Sequence, residues 1–295
     1  MAEWIAESMM LVPGMTHDLG GGFVIRRLLP YRKKRMVGPF IFLDHMGPVE
    51  FAPNSESDIR PHPHIGLSTL TYLYEGRMVH RDSLGSVQTI LPGEVNWMTS
   101  GRGIVHSERA HADDYGKKVR MQGLQFWVAL PDANEDQAPS FRHYEKSVLP
   151  IFSGKDFSAT IVVGSAWGFN SPVVASSPSI FMDLHAKNAA EISFAPAQAN
   201  FEIAVYVLTG KLSYREGEIS AGTLAILHDS NNIRLHADGD THFIIIGGEP
   251  FAKPHFIWWN FVSSSHEKIE AAKAAWKSDT MGQVPGEHER IPLGD

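Results

Sequence analysis

Two short runs carry the residue types and spacing that metal chemistry needs: His62-Pro63-His64 and His106-Ser107-Glu108. In an extended strand, residues i and i+2 project from the same face. His62 and His64 therefore stand side by side, and so do His106 and Glu108. If the two strands meet inside one barrel, three imidazoles and one carboxylate converge. Such a set suits a divalent first-row metal. The chain has no cysteine. That excludes disulfides, thiolate zinc sites, iron–sulfur clusters and cysteine nucleophiles, and favours a site with open coordination positions.

The elements that must position these residues read as strands. Short apolar runs, rich in β-branched and aromatic residues, recur between scattered glycines and prolines. They lie at Phe40–Leu43, Leu70–Tyr74, Val87–Leu91, Leu124–Leu130, Thr160–Val163, Ala204–Leu208, Leu224–Leu227 and Thr241–Ile246. This pattern predicts an all-β sandwich or barrel. One module occurs twice. Thr71–Met78, with Gly76 at its turn, is followed by Ile90–Val95 with Gly93. Val205–Leu212, with Gly210, is followed by Ile219–Leu224 with Gly222. Together with 295 residues, the repeat predicts two tandem domains, 1–140 and 141–263. The remaining 264–295 reads as a helix and tail. Ser264-x-x-Glu267 has the capping-box form, and Ile269, Ala272 and Trp276 fall on one helical face.

Counted from the turn glycines, the second module offers Pro196 and Gln198, then Leu235 and Ala237, where the first has its two dyads. It is therefore expected to hold no metal. The other histidines, His80 among them, are read as solvated or hydrogen-bonded. Gly101 and Gly103 flank a tight turn that aims the His106 strand. Trp97, Met98, Phe126 and Trp127 are read mainly as core, Asp44-His45 as a turn, and Arg32-Lys33-Lys34-Arg35 as a solvated loop.

Composition narrows the function classes. Hydrophobic residues make up 43% and charged residues 20%, with a net charge of −7. That is ordinary globular composition and argues against a nucleic-acid platform, which needs a clustered positive field. Met1–Glu7 lacks the basic and apolar regions of a signal peptide, and no run is long enough for a membrane span. A cytoplasmic protein is expected.

Residues 62–108 resemble the pirin family. The resemblance rests on His62-Pro63-His64-x-Gly66, Leu73-Tyr74-Glu75-Gly76, His80-Arg81-Asp82-Ser83-Leu84-Gly85, Pro92-Gly93-Glu94-Val95 and the long run from Trp97 to Glu108. Gly38–His45, Leu124–Pro131 and Gly247–Pro250 extend it to about residues 15–250. The resemblance implies a bicupin of two jelly-roll barrels, with iron, Fe2+, held by His62, His64, His106 and Glu108. It also implies either of two roles. One is a quercetin 2,3-dioxygenase-like enzyme, which uses O2 to open the central ring of a flavonol, a small aromatic substrate, with loss of carbon monoxide. There Glu108 would leave the metal or accept the substrate proton. The other is a metal- or redox-sensing protein that binds a regulatory partner, either a transcription complex or a metabolic enzyme. One departure stands out: the family's usual glutamate four residues after the second histidine is Ser68 here. Restoring it is expected to move the pH dependence of turnover and leave the metal in place.

Overall fold

The computed structural model describes residues 8–18, 20, 22–53 and 58–294, so the Met1–Glu7 reading lies outside the described residues. Two compact units emerge, and neither is a continuous stretch. One comprises residues 1–15, 26–42 and 147–251; the other comprises 16–25, 43–146 and 252–295. The expected spans 1–140 and 141–263 therefore need correction at both ends of the chain. Main-chain pairing is the reason. Strand β1 (Met9–Pro13) pairs antiparallel with residues 223–227, deep in the second module. At the other end, Val262 donates its N–H to the Ile65 carbonyl at 3.2 Å, which ties the segment after residue 252 to the first module.

The two sheets that carry the metal candidates are built from β2 (Met15–Asp18), β3 (Val24–Leu29), β4 (Phe40–Phe51), β5 (Ile59–His64), β6 (Leu67–Glu75), β7 (Met78–Asp82), β8 (Val87–Ile90), β9 (Val95–Thr99), β10 (Ile104–Arg109), β11 (Val119–Ala129) and β12 (Ser140–Tyr144). They form a seven-stranded sheet, β12-β9-β6-β11-β4-β3-β2, and a four-stranded sheet, β5-β10-β7-β8. The second module repeats this plan. Its large sheet runs β1, 223–227, 202–209, 241–248, 179–186, 157–163, 151–153. Its small sheet runs 190–194, 233–237, 211–214, 217–220. The expected two-barrel, all-β architecture is what the chain forms.

The interior of the second module is a closed apolar cluster that includes Ile203, Val205, Val207, Phe243 and Ile245. The first module has a smaller apolar cluster, around Phe23, Phe51, Leu73 and Met121. Part of its interior is given over to histidines instead.

Helix α1 (His266–Lys277) is capped by Ser265, whose hydroxyl accepts the Lys268 N–H, one residue later than the sequence pattern indicated. Ser264 is engaged elsewhere: its N–H binds the buried Glu135 carboxylate at 2.6 Å. The predicted face is the buried one, with Ile269, Ala272 and Trp276 turned inward. Asp44 and His45 are also corrected. They lie within the long strand β4 and are buried, not in a turn. No helix among the described residues is long and apolar enough to cross a membrane.

Candidate metal centre

Strand β5 alternates Pro61, His62, Pro63 and His64. Proline cannot donate to a ladder, so a strand of this kind belongs at a sheet edge, and β5 is the edge of its sheet. Its one neighbour in that sheet is β10. The antiparallel register sets His106 opposite His62 and Ile104 opposite His64, with a bulge between His106 and Glu108. On the other side of β10, Asp82 stands opposite His106 and His80 opposite Glu108. Directly opposed residues share a face. Six polar side chains therefore look into the same side of one small sheet. The glycine turn before β10 is as expected: Gly101 has φ of 50°, and a Cβ there would sit 2.0 Å from the Gln137 carbonyl oxygen.

Three of the six come together as a set. The ligand-capable nitrogens of His62, His64 and His106 all lie within 4.8 Å of one another, and all three residues are buried. The Nδ1–H of His62 donates to the Arg60 carbonyl at 2.9 Å. That of His64 donates to the Asn260 carbonyl at 3.0 Å. Each bond fixes a tautomer and leaves Nε2 with a lone pair. The Nε2 atoms of His64 and His106 face each other at 3.1 Å. Two nitrogens held by one ion at about 2.1 Å and roughly a right angle would stand about 3 Å apart. Nδ1 of His106 is buried with no hydrogen-bond partner.

Electrostatics agree with a ligand role. Burial lowers the His62 imidazole to about 4. Burial, then the neighbouring imidazoles, holds His64 and His106 well below the usual histidine range. All three are therefore neutral near pH 7, the state a metal requires. Burial and donor chemistry thus fit a divalent first-row ion.

Glu108 is buried on the same strand face but stands outside the close three-histidine cluster. Burial raises its carboxyl to about 7.

Sequence reasoning missed the pair His80 and Asp82. The His80 Nε2–H donates to Asp82 at 3.0 Å, and the His80 ring stacks on Phe141 at 4.2 Å and lies 5.3 Å from that of His106. Burial pushes the Asp82 carboxyl up. Hydrogen bonds from His80 and from Ser86 outweigh it and hold Asp82 below its ordinary value. The signal was the same i, i+2 spacing that marked the two dyads.

Trp97, Met98, Phe126 and Trp127 are buried as expected, and the Trp127 ring meets His64 edge-on at 5.2 Å. The basic run at 32–35 is largely exposed, and Lys34 pairs with Glu202. Ser68 is buried on β6, with its hydroxyl 2.9 Å from that of Thr99, which also accepts the Trp97 indole N–H at 3.1 Å. Ser68→Glu would force an extra methylene and a carboxylate into this network. We expect a stability loss of about 1–3 kcal/mol, read from denaturant melts, before any change in pH dependence. A variant as stable as the parent would show that the network yields.

The second module answers the first strand by strand. Ile233 pairs with Phe194 and Leu235 with Ile192, while Leu235 also pairs with Tyr214 and Ala237 with Leu212. His62, His64, His80, Asp82, His106 and Glu108 thus correspond to Ile192, Phe194, Leu212, Tyr214, Leu235 and Ala237. All six are buried in the apolar core. The expected Leu235 and Ala237 stand, but Pro196 and Gln198 are corrected to Ile192 and Phe194. Counting from the turn glycine fails there because the connecting hairpins differ in length. Among the described residues, the three histidines of the first module are the one metal-capable group.

Family models match residues 22–128, as pirin, and residues 181–282, as the pirin C-terminal cupin domain. The chain belongs to the pirin family. A pirin-like protein of Caulobacter vibrioides is 43% identical over 278 residues, covering 92% of this chain and 95% of its own. A quercetin 2,3-dioxygenase structure from Acinetobacter baumannii superposes with a TM-score of 0.89 at 35% identity, covering 99% of this chain and 97% of that one. A bacterial pirin of Escherichia coli, solved in complex with nickel(II), shares the fold at 18% identity, with a TM-score of 0.65 over 82% of this chain and 99% of its own. The two modules of this pirin are accordingly a bicupin.

Proposed function

We propose that this pirin is a mononuclear-metal dioxygenase that opens flavonol-type substrates with O2, with Fe2+ as its metal. The observation that carries the reading is the buried, neutral three-histidine cluster with two tautomers fixed by backbone carbonyls. The 35% identity to a quercetin 2,3-dioxygenase across nearly the whole chain supports the substrate class.

His62, His64 and His106 would hold the ion, with Glu108 as a fourth, carboxylate ligand. When bound, the metal supplies Lewis acidity and open positions for an enolate-like substrate and O2. Glu108 holds its proton up to about pH 7. A carboxylate tuned so close to neutrality is suited to take the proton of the flavonol hydroxyl and give it back to product. Trp127, against His64, presents an aromatic surface beside the ligands. The partners of this reading are a small aromatic substrate and O2, and its setting is the cytoplasm.

Elemental analysis of the purified protein, run beside a flavonol assay that follows O2 uptake and carbon monoxide release, tests it. One metal per chain and equimolar consumption of flavonol and O2 are expected. Two ions per chain, or full metal with no turnover of any flavonol, would overturn it. The second outcome, joined with iron-dependent capture of a protein partner, would turn the reading towards regulation.

A further inference from the structure

The segment after the second barrel returns to the metal-bearing sheet and touches both ligand strands. The Asn260 carbonyl accepts the His64 Nδ1–H at 3.0 Å. Phe261 bridges Ile65 in parallel. Further on, the Ile291 N–H donates to the Pro61 carbonyl at 2.8 Å, and the Trp276 indole N–H holds the Ile291 carbonyl at 3.1 Å. Strand β5, the bare edge of its sheet, is thereby covered.

The remaining contact concerns β10. His106 and Glu108 face inward, so Ser107 and Arg109 face outward. The Ser107 hydroxyl donates to Glu287 at 2.6 Å, and Arg109 donates to the same carboxylate through Nε, at 3.2 Å, and through a second nitrogen. Ser107 is fully buried, and the Glu287 side chain is only 9% exposed. The placement matters because the β5–β10 ladder is bulged between His106 and Glu108, where Arg60 and Pro61 of β5 stand opposite Ser107 alone. A bulge leaves its extra residue without a ladder partner and re-aims its neighbours. Here the extra residue is on β5, and Ser107 is the single β10 residue that faces it. At this irregular point of the ladder the Glu287 carboxylate holds the Ser107 side chain.

We propose that Glu287 is a positioning residue for the metal centre: by anchoring Ser107 and Arg109 it fixes β10 where its ladder with β5 is bulged, and so the aim of His106 and Glu108. The role rests on the metal-site reading above, but not on the flavonol chemistry. It makes the ligand geometry depend on a residue about 180 positions away in the chain.

Co2+ is the probe, titrated into the full-length protein against a competing chelator, with its ligand-field absorption recorded. Glu287→Gln should weaken Co2+ binding about 10-fold and shift the ligand-field bands, as loss of an outer partner does at other metal sites. Ser107→Ala keeps the Arg109–Glu287 ion pair and should do the same. The double variant should be no worse than the weaker single, because both changes remove one contact. Glu289→Gln is the control: Glu289 also pairs with Arg109, at 2.8 Å, but is half exposed and has no bond to Ser107. It should bind Co2+ as the parent does. Parent-like affinity and bands in both Glu287→Gln and Ser107→Ala would overturn the proposal, as would equal weakening in Glu289→Gln. A parent that binds no Co2+ would remove the metal centre itself, a different failure from a parent that binds and variants that match it.

Discussion

His106→Ala is expected to abolish stoichiometric metal. His106 sits in the middle of the small sheet, opposite His62 on one side and Asp82 on the other. Its Nε2 meets that of His64, and its ring touches those of His62, His64 and His80. Alanine leaves two imidazoles on one edge strand and nothing across from them. Removing only an outer partner of a metal ligand costs 10–100-fold in affinity, so losing the ligand itself should cost more than about 100-fold. Flavonol-dependent O2 uptake should vanish with the metal. Elemental analysis and a chelator competition check this, and full occupancy in the variant would sink the three-histidine assignment.

Glu108→Gln should leave metal bound more weakly, end proton release on binding and lower turnover by about 10²–10⁴-fold. The argument starts from burial, which raises the carboxyl to about 7. At pH 6 most chains therefore carry the Glu108 proton, while the three imidazoles carry none. A carboxylate that joins the metal must give up that proton, so binding at pH 6 should release about one per chain. Calorimetry in buffers of different ionisation enthalpy counts it. Unchanged release in the glutamine variant would remove Glu108 from the ligand set.

The same group sets a pH dependence of stability. Its folded value lies above the ordinary 4.5. Its contribution is thus fully present below that value and is lost as pH rises through about 7. For the metal-free protein the loss is on the order of 3 kcal/mol. His62 acts in the opposite sense: held down at about 4, it costs stability only as pH falls below its ordinary 6.5. Urea melts at pH 5 and pH 8, with and without Glu108→Gln, separate the two.

Much of the site was legible because strand periodicity is strict. Two residues apart on a strand means one face, and that rule alone joined His62 to His64 and His106 to Glu108. The same rule applied to His80 and Asp82 would have found the second pair. The buried stripe Ile269, Ala272 and Trp276 was equally readable, since helical spacing is as regular as the strand's. Apolar runs between turn residues located strands in both barrels. The turn glycines Gly76 and Gly210 correctly marked a repeated module.

Register and long-range return were not legible. Pairing between β7 and β10 decides that His80 faces Glu108, and no local signal carries it. Hairpin length decides that Ile192 and Phe194, not Pro196 and Gln198, replace the first dyad. The ladder is bulged between His106 and Glu108, and the Glu108 carboxyl stays outside the cluster formed by the histidines; no local pattern announces either. Crossing of the termini, with β1 paired into the second module and residues 252–294 returned to the first, reflects hydrogen bonds between segments over 190 residues apart. The sequence by itself determined which side chains could bind a metal, because side-chain chemistry and strand alternation are local properties. Only the tertiary structure decided which of them meet and what fixes their tautomers and aim, because those depend on main-chain partners that distant segments supply.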